Sequence, residues 1–126
     1  MKKWISLVAL ILVVSIFAPM KSASANASFS DVGTTHRAQA EIYYLVQGGI
    51  AGGVSSSQFV PDKQVTRGEA AAMIGRALGL NGERLNTKFS DVSSSNFASG
   101  YIKEMVEKGI ISGFPNGTFR PYETLT

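Results

Sequence analysis

The sequence predicts an all-α protein built from repeated helix–loop–helix units. The first observation is an internal echo at a spacing of 60 residues: Phe29-Ser30-Asp31-Val32 returns as Phe89-Ser90-Asp91-Val92, and Gly49-Ile50 as Gly109-Ile110. Phe59, Pro61 and Thr66 return as Phe119, Pro121 and Thr126 with no gap. A repeat of this period is the signature of stacked copies of one supersecondary unit. The second observation is apolar residues at helical spacing in both copies, and the third is glycine or a capping signal where those stripes start and stop.

Residues 1–25 stand apart from this pattern. Lys2 and Lys3 precede the uncharged apolar run Trp4–Ala18, and a small-residue stretch follows through Ala25 and Ala27. A basic start, a short apolar run and an Ala-x-Ala-like site describe a secretory signal peptide, with cleavage after 25 or 27. The run is shorter than the roughly 20 residues that span a bilayer, so no integral membrane contact is expected once it is removed. Without Lys2, Lys3 and Lys21, basic and acidic residues balance at nine each. The whole-chain excess of base therefore argues for neither nucleic acid nor anionic lipid as a partner. The chain has no cysteine, so disulfides cannot supply the stability that small exported domains often take from them.

Repeat one spans 29–80. Ala38, Ile42, Leu45 and Val46 mark one face of its first helix, and Gly48-Gly49 ends it. A Gly/Ser-rich loop follows, in which Phe59 is expected to plug the core. Thr66 and Glu69 form a capping box opening the second helix, whose stripe is Ala70, Met73, Ile74, Ala77 and Leu78. Gly68 and Gly75 lower its helix propensity by about 1 kcal/mol each, which predicts close approach of another element. Residues 81–88 read as a polar linker. Repeat two spans 89–126, with the stripe Ala98, Ile102, Met105 and Val106, then Gly109 and the turn Pro115-Asn116-Gly117. Thr126 is the counterpart of Thr66, so the second copy is expected to be truncated before its second helix, to lack its partner surface and to pack poorly.

Phe-Ser-Asp-Val, the Gly109-Ile110-Ile111-Ser112-Gly113-Phe114-Pro115-Asn116-Gly117-Thr118-Phe119-Arg120-Pro121 run, Leu125-Thr126 and the Thr66-Arg67-Gly68-Glu69 element together resemble the S-layer homology (SLH) domain. That resemblance implies a pseudo-threefold bundle of three units, here incomplete, with grooves between neighbouring SLH repeats. It implies a secreted module that anchors its parent non-covalently at the bacterial cell wall or cell surface. The partner implied is secondary cell-wall polysaccharide, typically its pyruvylated amino-sugar end, with peptidoglycan as a secondary candidate. Arg67 becomes the candidate for pairing a carboxylate, favoured by guanidinium donors beside a helix N-terminus. Gly113, Phe114, Asn116, Gly117 and Arg120 become candidates for lining the groove. Repeat one departs from the pattern at Arg37, at Val54–Gln58 and at Val60, and Phe97 stands where the family often has Trp. The alternative reading is the targeting end of an exported hydrolase or protease with its catalytic domain beyond Thr126.

Catalysis within this segment is not expected. Asp31 and Asp91 occur in identical contexts, whereas the acids of a catalytic pair need different environments; each is expected to order a turn before its helix. Thr66 and Glu69 are read as a cap. His36, the single histidine, is read as a helix-entry residue. No residue cluster has metal-ligand spacing, and no cofactor is implied. Tyr43, Tyr44 and Tyr101 are candidates either for stacking on sugar rings or for partial burial.

Overall fold

The computed structural model describes residues 28–126, so the expected signal peptide and its cleavage site lie outside the described residues. Three helices and no strand occur among them: α1 (Gln39–Gln47), α2 (Arg67–Ala77) and α3 (Ser99–Glu107). None is long and apolar enough to cross a membrane. The fold class is all-α, as the sequence predicts.

Each helix begins and ends for a local reason. His36 Nδ1 accepts the Ala38 N–H at 3.2 Å at the entry to α1, and Asn96 Oδ1 accepts the Ala98 N–H at 2.9 Å at the entry to α3. Thr66 and Glu69 close the expected capping box of α2 in both directions. Gly49, Gly79 and Gly109 follow the three helices at φ 67°, 68° and 70°, the left-handed conformation that terminates helices.

The core divides in two. Around α3, Ile102, Met105 and Ala98 are wholly buried with Phe89, Val92 and Phe119, and the same cluster includes Ala71 and Ala72 of α2. Full burial of a side chain such as Ile102 or Met105 contributes about 1.5–3 kcal/mol. Around α1, Phe29, Val32 and Ile42 form a smaller separate cluster, with Phe59 packed against it as expected.

Two expectations need correction. Repeat two does not lack a partner surface, because α2, from repeat one in sequence, packs on α3 and not on α1. The antiparallel bridge between Thr66 and Thr124 and the 2.9 Å bond from Leu125 N–H to Val65 O hold this arrangement. The apolar stripe named for α2 is also not its core face. Ile74 and Leu78 remain 43% and 53% exposed, while the buried residues are Gly68, Ala71, Ala72 and Gly75. Small residues face inward because Pro121 sits against Gly68 and the Tyr101 ring against Gly75, where a β-carbon would collide with either.

The 81–88 segment is pinned to its surroundings. Asn86 Oδ1 accepts the Ser94 N–H at 3.0 Å, Thr87 Oγ1 donates to Val92 O at 2.7 Å, and the Glu83 carbonyl lies against Gly100.

Candidate functional site

The start of α2 and the loop following α3 meet at Arg67. This half-buried residue lies in the first turn of α2. Its Nε donates to Phe119 O at 2.9 Å and its Nη2 to Ser112 O at 3.3 Å. The guanidinium lies 4.9 Å from the Phe114 ring centre and 4.6 Å from that of Phe119. Arg120 approaches the same Phe114 ring at 3.9 Å and makes a loose 3.6 Å pair with Glu123. Two cations therefore share one aromatic ring, an arrangement favoured by the ring quadrupole and opposed by their mutual repulsion.

The loop's shape is set by a small number of bonds. Gly117 N–H donates to Phe114 O at 3.1 Å, and Phe114 N–H to Thr118 O at 2.8 Å. Gly117 adopts φ 79°, which glycine tolerates without strain. Asn116 Oδ1 accepts from Thr118 N–H at 3.2 Å and from Thr118 Oγ1 at 2.7 Å. Gly113 lies against the Phe89 ring, leaving no room for a side chain.

Asp91 and Asp31 act over a longer range than the turn expected of them. Asp91 accepts the N–H groups of Phe119 and Arg120 at 2.8 and 2.7 Å, and Asp31 those of Phe59 and Val60 at 2.9 and 2.6 Å. Each carboxylate thus clips the far loop of its own repeat to the segment that opens it. Charge-assisted bonds of this kind are about twice as strong as neutral ones. The Phe59 N–H, with smaller help from Val60, holds the Asp31 carboxyl below its ordinary range. Glu69 is also lowered, chiefly by Lys63, whose Nζ lies 2.6 Å away, and then by the Thr66 N–H.

One physical expectation does not hold. The first N–H groups of α2 do not face an open groove, because Arg67 N–H donates to Glu123 O and Gly68 N–H to Pro121 O, both at 2.8 Å. Any anion here would be held by side chains and not by the helix terminus.

The structure brings together Arg67, Gly113, Phe114, Asn116, Gly117 and Arg120, with Thr66, Glu69 and Asp91 supporting them; Asp31 instead clips the repeat-one loop at Phe59 and Val60. They do not line one cavity. Gly113, Phe114 and Gly117 border an open cavity of about 610 Å³ that also reaches Lys88, whereas Arg67 borders one of about 320 Å³ with Ala70, Ile74 and Leu125. Ile111 and Ser112 wall both. Ser112 escaped the sequence reading because its contribution is a carbonyl, which every residue carries. A third cleft of about 190 Å³, between the repeat-one loop and α2, has Phe59, Met73 and Phe97 on its walls and Lys63, Glu69 and Arg76 at its edge. Of the three tyrosines considered for sugar stacking, Tyr101 packs against Gly75 and Gly82, Tyr43 accepts the Phe29 N–H, and Tyr44 stands 74% exposed. Among the described residues no cluster of metal-ligating side chains occurs.

Comparison with known proteins places this arrangement. The sequence profile of the S-layer homology domain matches residues 28–71 and 88–126. An endoglucanase of Bacillus sp. (strain KSM-635) is 36% identical over 99% of this chain, and the match covers 14% of that protein. A cellulosome-anchoring protein of Acetivibrio thermocellus is 33% identical over 82% of this chain and 25% of its own length. A surface layer protein of Brevibacillus choshinensis is 35% identical over 62% of this chain and 7% of its own length. The chain therefore spans a quarter or less of these curated relatives. With both segments matched and the helices, loop and capping box in place, the chain belongs to the S-layer homology domain family, a family of cell-wall anchoring modules.

Proposed function

We propose that this segment holds its parent protein at the bacterial cell surface by non-covalent binding of secondary cell-wall polysaccharide, and that it performs no catalysis. The supporting observation is the pair of arginines on Phe114. Arg67 spends two donors on loop carbonyls, leaving the rest of its guanidinium for a ligand. Arg120 is exposed beside it. A pyruvylated amino sugar suits this chemistry: its carboxylate pairs with guanidinium groups and its ring lies along Phe114 and the glycine-bordered loop. Peptidoglycan, whose stem peptides also carry carboxylates, is the competing ligand that the wall assay separates. On this reading residues 1–25 form the export signal, and 29–80 and 89–126 are the two sequence repeats.

A second reading concerns the parent protein and rests on the endoglucanase that matches nearly the whole chain. Here the segment is the wall-targeting end of an exported hydrolase, and the binding chemistry is the same. Whether the full-length parent carries a hydrolase domain distinguishes the two.

The test is co-sedimentation of the protein with purified walls carrying or lacking the pyruvylated polymer. Binding is expected only to the first, and equal retention on bare peptidoglycan would sink the polysaccharide reading. Arg120→Ala is expected to weaken retention by tenfold or more with an unchanged melting temperature. Arg67→Ala is a poorer probe, because it also removes two bonds that hold the loop carbonyls, one part-buried and one exposed.

A further inference from the structure

We propose that Asn116 is a site of spontaneous covalent modification, converting to aspartate and isoaspartate in the folded protein while Asn81, also followed by glycine, is protected. The chain holds two Asn-Gly pairs, Asn81-Gly82 and Asn116-Gly117, and their surroundings differ. Gly117 has no neighbour within 4 Å of where a β-carbon would stand, whereas Gly82 is walled by the Tyr101 ring at that place. Asn116 Oδ1 receives two donors from Thr118, the hydroxyl at 2.7 Å and the N–H at 3.2 Å. Asn81 Oδ1 receives one, the Glu83 N–H at 3.1 Å.

Two donors on one amide oxygen polarise the side-chain carbonyl and stabilise negative charge developing on that oxygen. The Gly117 nitrogen attacks Asn116 Cγ, forming a carbon–nitrogen bond. The Cγ–Nδ2 bond breaks, and Nδ2 departs as ammonia with the proton from the Gly117 nitrogen. The five-membered imide then takes up one water at either carbonyl, giving aspartate or isoaspartate. One water is consumed and one ammonia released; no oxidant or metal takes part. Because Gly117 N–H must first leave Phe114 O, opening of this turn gates the reaction.

The product places a carboxylate in the loop that carries Arg120, and isoaspartate also lengthens the backbone of the turn. This consequence rests on the anchoring reading: a ligand carboxylate would then meet a competing negative charge. Repeat one has Val54–Gln58 at the corresponding place, so the modification marks repeat two alone.

The experiment is incubation of the intact folded protein at mildly alkaline pH, followed by site-resolved peptide mass spectrometry and enzymatic isoaspartate labelling. The gain of about one dalton that distinguishes acid from amide is expected at Asn116 at least several-fold faster than at Asn81. In urea the two sites should approach the same rate. Thr118→Val, which keeps the shape and removes the hydroxyl donor, is expected to slow conversion at Asn116 in the folded state only. Conversion of Asn81 at an equal or higher rate in the folded protein would overturn the proposal. So would an Asn116 that stays intact when folded while converting in urea. A separate arm compares wall binding of the incubated, converted protein with that of fresh unconverted protein, with loss expected in the first. Failure of the unmodified protein to bind walls would count against anchoring and leave the mass measurement standing.

Discussion

Val60 and Arg120 occupy equivalent places in the two repeats at φ 58° and 59°, although neither is glycine and Val60 is β-branched. The left-handed region costs an L-residue about 1–2 kcal/mol. The Asp31 and Asp91 carboxylates hold the two residues there by their own N–H groups. Val60→Gly removes that strain while adding backbone entropy to the unfolded chain, so a net gain of up to about 1 kcal/mol is expected, visible as a higher melting temperature. No gain would mean that the Val60 side chain repays its strain by packing. Glu69 carries the clearest pH signature. Its folded pKa is lowered by Lys63 and Thr66, so its contribution is fully present above the ordinary glutamate value and is lost as pH falls through the lowered one. With a side chain one-third exposed, the contribution is screened to about 0.2–1 kcal/mol. Glu69→Gln is expected to flatten the acid side of a stability–pH profile, and an unchanged slope would show the pair contributes nothing. Sequence spacing reveals the Thr66–Glu69 box because a cap is local. It gives no view of the Asp clips, whose two ends lie nearly thirty residues apart.

The helices show where sequence periodicity succeeds and where it misleads. In α3 the stripe Ala98, Ile102 and Met105 is the buried face, since large apolar residues there meet large apolar neighbours. In α2 the larger apolar residues point outward and the small ones are buried. Hydrophobicity ranks Ile74 above Gly75, but the close approach of Tyr101 admits only the smaller. Gly75→Ala tests this conflict directly. Propensity alone favours alanine by about 1 kcal/mol, whereas overpacking against a ring costs about 1–3 kcal/mol. The substitution is therefore expected to lower the unfolding midpoint in urea. A rise would mean that Tyr101 can turn aside cheaply.

Across the whole molecule, two cores of unequal depth predict unequal persistence. The cluster joining α2, α3 and Phe119 is larger and more completely buried than that around α1. Amide exchange is expected to be slowest at Ile102 and Met105 and faster throughout α1; equal protection would indicate one cooperative unit. The 60-residue echo made the places of both loops and the helix ends legible, because turn and cap signals are local in sequence. It did not reveal which helices pair, because a repeat period fixes the length of a unit and not where one begins in space. The placement of α2 on α3 has a consequence for how the chain forms. As the chain emerges N-terminus first, whether from the ribosome or from export, α2 precedes Phe119 and Pro121, residues that cover its inner face. Its own first-turn N–H groups wait for the same segment. The helix thus stays unfinished until the loop behind α3 arrives, and a pause or premature stop within that interval would leave an exposed, partly folded intermediate for chaperones or proteases to meet.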